Sequence, residues 1–192
     1  MWSRSRRAAL SRLIRWAAVA TAAALTAACF QPLYGERSPD ASGAVAPGIR
    51  TALASVEVDQ ISAANGTPEA RIAVELRNDL IFELTGGAGP ATPTYRMAIK
   101  MTLSKSAIIV DIATGRSEAE VVGIDVTYTL TEIATRKVVV NSTTFARVSS
   151  DIPGQQQRFA RNRAQRDAEN RATKVIAEQI RSRLASHFVA GT

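Results

Sequence analysis

Two stretches of strict alternation constrain the fold of this chain more than any other feature. Tyr95, Met97, Ile99, Met101 and Leu103 alternate with Arg96, Ala98, Lys100, Thr102 and Ser104. Val122, Ile124, Val126, Tyr128 and Leu130 alternate in the same way with Gly123, Asp125, Thr127 and Thr129. A period of two sends successive side chains to opposite faces, so each stretch reads as a strand with one dry and one wetter face. The first is expected to run on through Ile108 to Val110 and to turn at Ala113-Thr114-Gly115-Arg116. Thr135-Arg136 marks another turn, and Val138 to Val148 reads as a third, less cleanly patterned strand. Short turns join the three, which predicts an antiparallel meander.

Helical patterns flank the meander. Thr67-Pro68-Glu69 has the residues of a helix start: a hydroxyl at the N-cap, Pro at the first helical position and an acid in the first turn. Ile72, Leu76, Leu80 and Leu84 follow at four-residue spacing, with Ala73 and Ile81 beside them, until Gly86-Gly87-Ala88-Gly89-Pro90 ends the run. Those glycines follow a helix and precede a strand, the reverse of a phosphate-cradling turn, and no Gly-Lys-Ser/Thr is present. Upstream, Leu53, Val56, Val58 and Ile61 place a first strand within Thr51 to Ile61.

The last element is expected from about Gln155 to Phe188. Ala160, Ala164, Ala168, Ala172, Ile176, Ile180, Leu184 and Phe188 recur every four residues. Four residues turn a helix by roughly 400°, so this row drifts by about 40° at each step and cannot stay on one straight face. Arg158, Arg161, Arg163 and Arg166 crowd the first third, which holds no large aliphatic residue. That third is expected to leave the core. The order strand, helix, three-stranded meander, long helix gives an α+β fold: a mixed four-stranded sheet with two helices packed on one face.

The chain's beginning bears on location. Arg4 to Arg15 carries five arginines and no acid, and Trp16 to Ala28 is a short apolar run ending in Thr26-Ala27-Ala28. A basic segment, a short apolar segment and small residues are the parts of an export signal. The run is about thirteen residues, against roughly 20 for a helix that crosses a bilayer. It ends against Cys29, the only cysteine of the chain. Leu25-Thr26-Ala27-Ala28-Cys29 resembles a bacterial lipobox, with Leu25 one place earlier than usual. The expected organisation is a lipoprotein signal peptide (1–28), a lipidated Cys29 on a Pro- and Gly-rich tether (29–50), and one folded domain (51–192). Acyl chains contribute roughly 0.8 kcal/mol per buried methylene, enough to hold the protein on a membrane. Phe30, in place of the Asp that retains lipoproteins at the inner membrane, favours the outer one.

Charge follows the same division. The formal net charge of +7 falls to +2 once the five arginines of 1–28 are removed. Gly154 to Thr192 carries eight Arg or Lys against three acids, while Cys29 to Pro153 carries eleven against fourteen. A basic C-terminal segment on a mildly acidic body points to a local anionic partner.

The inventory argues against catalysis. The single histidine, His187, lies near the C-terminus, so neither a His/Cys metal site nor a secure Ser–His or Cys–His pair can be assembled. Glu118, Glu120 and Asp125 lie at or beside the polar side of a strand, where charge is expected without any role in glycan hydrolysis. With 5% aromatic residues, no strand offers stacking pairs for nucleic acid. No enzyme activity, cofactor, metal or nucleic-acid partner is expected.

Cys29-Phe30-Gln31-Pro32-Leu33-Tyr34-Gly35 resembles the opening of mature alphaproteobacterial LPS-assembly lipoproteins, the LptE family, although a Gly often follows their Cys. The element order is similar to that family's two helices on a mixed four-stranded sheet. The final helix, with Asp167-Ala168, Arg171-Ala172, Ala177, Ile180 and Leu184, is similar as well. The resemblance implies a non-enzymatic outer-membrane lipoprotein that binds lipopolysaccharide (LPS). It also implies that the protein assembles with and plugs the LPS-translocon β-barrel, an LptD-type partner, promoting LPS delivery to the surface. Two rival expectations are an auxiliary lipoprotein of a lipid-transport ABC system and a periplasmic hydrolase with an unrecognised acid pair.

In an antiparallel meander, the turn between the second and third strands lies at the end where the fourth exits. That puts Arg116 near Arg158, Arg161 and Arg163, with Arg136 and Lys137 at the opposite pole. Arginine forks suit phosphate oxygens. The Arg116 end is the expected LPS-facing pole, the alternative being arginines kept at a surface for solubility.

Overall fold

The computed structural model describes residues 48–111, 116–151 and 158–190, the side chains of 109–118 and 151 excepted. The expected signal peptide, Cys29 and the tether lie outside the described residues. In chain order the elements are α1 (Ile49–Ala54), β1 (Val56–Val58), α2 (Pro68–Thr85), β2 (Tyr95–Asp111), β3 (Arg116–Glu132), β4 (Val138–Asp151) and α3 (Arg158–Ala190). The strands form one sheet in the order β1-β2-β3-β4. β1 pairs parallel with β2, and the other pairs are antiparallel. This is the mixed four-stranded α+β sheet that the alternation implied.

The first strand differs from expectation. Thr51–Ile61 is not one strand but a helical turn followed by three strand residues. Ile49 and Leu53, four apart, are both buried, which is a helical spacing on an Ala-rich stretch. Val56 and Val58 are buried with Glu57 exposed between them. Ser55 joins the two: its Oγ donates to the Ala52 carbonyl at 2.8 Å, and its carbonyl accepts from Thr94 and Tyr95 at the start of β2.

α2 begins and ends on its sequence signals. The Ala70 N–H donates to Thr67 Oγ1 at 3.2 Å, and Gly86 closes the helix in the left-handed conformation with φ 64°. Ile72, Ala73, Leu76, Leu80 and Leu84 are buried. They meet Met97 and Ile99 of β2, the inward residues Ile124, Val126, Tyr128 and Leu130 of β3, and Ile176, Ile180 and Leu184 of α3 in one core. α2 packs against β1 and β2, and α3 against β3 and β4.

The two helices run side by side in the same direction and share a polar seam. Arg71 meets Glu169, Thr173 Oγ1 donates to Asp79 at 2.7 Å, and Arg181 donates to Glu83 at 2.8 Å. At the far end Phe188 closes on Tyr95, with ring centroids 5.2 Å apart.

The remaining boundaries differ by a few residues. Arg116 is not a turn residue: it belongs to β3 and pairs with Asp111. The turn residues 112–115 lie outside the described part. β4 runs past Val148 to Asp151, opposite Ala119. The first third of α3 leaves the core, as its composition implied. Residues 158–163 are exposed, and the first buried residue is Ala168. No described helix is long and apolar enough to cross a membrane.

Candidate functional site

Strand register decides which end of the molecule gathers the predicted residues. Asp111 pairs with Arg116 at the end of β2, and β4 leaves the sheet at Asp151, opposite Ala119. Arg116 and the exit of β4 therefore occupy the same end of the sheet. Arg136 and Lys137 lie between β3 and β4 at the other end, where Glu132 N–H donates to the Lys137 carbonyl at 2.9 Å. Arg136 takes φ 56° there, inside the tight turn that the sequence implied.

Arg158, Arg161 and Arg163 lie on the first two turns of α3 and are exposed. None of the three makes an ion pair among the described residues. Arg116 is placed at this end by its backbone pairing with Asp111. Apolar surface accompanies this charge. Phe159 is 88% exposed between the arginines of α3, and Ile108, near the end of β2, is 52% exposed. Exposed cations beside exposed large apolar side chains suit an amphiphilic anion, because the arginines take the charge while the apolar groups shed water.

Where this end meets the core, one carboxylate is buried. Glu169 is 1% exposed. Its oxygens accept from Arg71 and from Gln165 Nε2 at 3.0 Å, Lys105 Nζ forms an ion pair with it at 3.2 Å, and Arg71 Nη1 donates to Asn170 Oδ1 at 3.3 Å. A buried carboxylate is costly unless paired. Here two cations hold it, one from α2 and one from β2. Sequence reading did not single out any member of this cluster. One signal was available: Glu169, Thr173, Ile176 and Ile180 share a helical face, and the last three are buried.

Beside the cluster lies a cleft of about 340 Å³ between the loop before α2 and the first turns of α3. An apolar pocket of about 230 Å³ sits at the opposite end, between β1 and the last turns of α2. The remaining sequence candidates have ordinary surroundings. Asp125 accepts from Arg147 at 2.8 Å on the face of the sheet away from the helices. His187 stands in the last turns of α3 with its ring 5.7 Å from that of Phe188. Among the described residues, no group of three His, Cys, Asp or Glu is placed to hold a metal ion.

The sequence model of the family described as LptE, lipopolysaccharide-assembly, matches residues 53–184. No curated protein sequence matches the chain. Among solved structures, a protein described as a lipoprotein of Caulobacter crescentus CB15 superposes with a TM-score of 0.58 at 18% identity, over 75% of this chain and 97% of its own. Rare lipoprotein B of Shewanella oneidensis matches at 0.47 and 14%, over 70% and 98%. A minor lipoprotein of Acinetobacter baumannii matches at 0.48 and 13%, over 68% and 91%. The Caulobacter structure shares the fold.

Proposed function

Because the chain belongs to the LptE lipopolysaccharide-assembly family, we propose that it is an outer-membrane lipoprotein, anchored through Cys29, that binds LPS. In this reading it assembles with and plugs the LPS-translocon β-barrel and promotes LPS delivery to the cell surface, without catalysis. The observation that carries it is the family match over residues 53–184, which spans the described body from α1 into the last turns of α3. The end that carries Arg116 supports the reading: Arg116, Arg158, Arg161 and Arg163 would meet the lipid A phosphates, with exposed Phe159 among the arginines of α3 and exposed Ile108 near the end of β2.

Two measurements test this. Changing Arg116, Arg158 and Arg161 together to Glu should abolish LPS capture by the detergent-purified protein. Unchanged affinity, with circular dichroism intact, removes the assignment of this end. Native co-purification should bring down a large outer-membrane barrel. Recovery of inner-membrane transporter subunits instead would overturn the barrel partnership in favour of a lipid-transport ABC system.

A further inference from the structure

The cleft beside the buried carboxylate is not among the residues assigned above. It is lined by Gly66, Thr67, Pro68 and Arg71 on one side, and by Asn162, Gln165, Arg166 and Glu169 on the other. We propose that it binds a sugar phosphate, the phosphorylated hexose of a glycolipid headgroup.

Charge selects the anion. Glu169 is already held by Arg71 and Lys105, so its charge is spent inside the cluster. Arg166 is exposed and makes no ion pair among the described residues. Arg71 and Arg166 thus line the cleft against one carboxylate, which Lys105 also pairs from outside it, so the cleft keeps a net positive charge. Arg71 spends N–H groups on Glu169 and Asn170, yet its side chain keeps 37% exposure, so part of a five-donor fork still faces water.

Shape and hydrogen bonding select the sugar. A volume of about 340 Å³ lies near the lower end of small-molecule sites, roughly 300–1,000 Å³, and exceeds what a bare phosphate fills. Two carboxamides line it. Gln165 Nε2 is engaged by Glu169, which leaves its carbonyl to accept from a hydroxyl. Asn162 is exposed and offers both a donor and an acceptor. Hydroxyls need such two-way partners, and acyl chains do not. Gly66, with φ 79° and open space where a Cβ would stand, keeps the rim low.

The ligand class rests on the LPS reading, whereas the charge and shape of the cleft do not. The test uses the full-length protein, ¹⁵N-labelled in detergent, titrated with glucose 1-phosphate, inorganic phosphate and glucose. LPS capture is measured in parallel. Glucose 1-phosphate should move the amides of 66–71 and 162–169, and should bind at least tenfold more tightly than either fragment. Arg166→Gln should weaken it about tenfold, Asn162→Ala severalfold, and Arg136→Gln, at the far pole, not at all. Equal affinity for phosphate and sugar phosphate, or an unaltered titration in Arg166→Gln, overturns the proposal. LPS capture by a protein whose cleft is silent to glucose 1-phosphate overturns the cleft and leaves the LPS reading standing. Sugar-phosphate binding without LPS capture supports the cleft and overturns that reading.

Discussion

Replacing Glu169 by Ala tests whether the buried cluster holds the two helices to the sheet. The change removes a carboxylate that is 1% exposed, accepts from Arg71 and Gln165 and pairs with Lys105. Breaking a fully buried ion pair costs roughly 3–5 kcal/mol, because the abandoned charge stays buried. Here the abandoned side chains are Arg71 and Lys105, which are 37% and 28% exposed and can turn toward water. The expected loss is therefore smaller, about 2–3 kcal/mol, made up of lost charge-assisted hydrogen bonds and repulsion between the two freed cations. For a folded body of this size, that lowers Tm by about 6–9 °C. Urea denaturation followed by circular dichroism measures it directly. Two further variants separate mechanism from mere truncation. Arg71→Ala in the Glu169→Ala background should cost less than the sum of the single changes, with a coupling of about 1–2 kcal/mol. Replacing Glu169, Arg71 and Lys105 together by Leu, Met and Met should recover most of the loss, since apolar residues of similar volume can stand in for a buried ion cluster. A loss under about 0.5 kcal/mol, or strict additivity with Arg71→Ala, would refute the reasoning.

Three other outcomes follow from single contacts. A methyl at Gly123 would overlap Ser104 Oγ and stand 2.9 Å from Arg147 Cδ, so Gly123→Ala should cost about 1–3 kcal/mol in urea denaturation, partly restored by Ser104→Ala. Burial pushes the Tyr128 phenol above its ordinary 10.0, partly countered by its hydrogen bond with Ser142 and the charge of Arg183. The folded state thus keeps that proton more tightly than the unfolded chain. The corresponding stability is present below pH 10 and is lost as pH rises through the folded value, so Tyr128→Phe should flatten the alkaline limb of a stability–pH profile. Thr67→Ala removes the acceptor for the Ala70 N–H and should lower stability by about 1 kcal/mol in the same denaturation assay.

Local chemistry was legible in the sequence, and long-range pairing was not. The ends of α2 were readable because Thr67, Pro68 and Gly86 act within one turn of themselves. β2 and β3 were readable because alternation survives wherever one face is dry. Even the exposure of the first third of α3 was readable, since four arginines and no large aliphatic residue cannot line a core. α1 was missed because Leu53, Val56, Val58 and Ile61 read together as one apolar stretch, and a six-residue helix gives too few turns to set its own period. Glu169 passed as one of three acids in a basic segment. Its partner Arg71 is 98 residues away in sequence, and no local pattern reports such a pairing. The cleft was hidden for the same reason, because its two walls, 66–71 and 162–169, are far apart in the sequence.

A mismatch of lengths explains why charge and apolar surface collect at one end. β2 and β3 each have 17 residues, about 55 Å at roughly 3.3 Å per residue. α2 has 18, about 27 Å at 1.5 Å per residue, so it can cover only half of its neighbouring strand. The contact of Arg71 with Glu169, and of Glu169 with Lys105, marks where that cover begins. On one side of this mark Met97 and Ile99 are buried; on the other Ser106, Ala107 and Ile108 are exposed. α3, with 33 residues, spans about 50 Å and reaches past the mark. It arrives there with Arg158, Phe159, Arg161 and Arg163 in place of Ile176 and Ile180. The cluster thus closes the apolar core with paired charge, and beyond it residues 106–108 and 158–163 are exposed. Surface chemistry at that end can change without unfolding the body, so the arginines there are free to answer to a ligand.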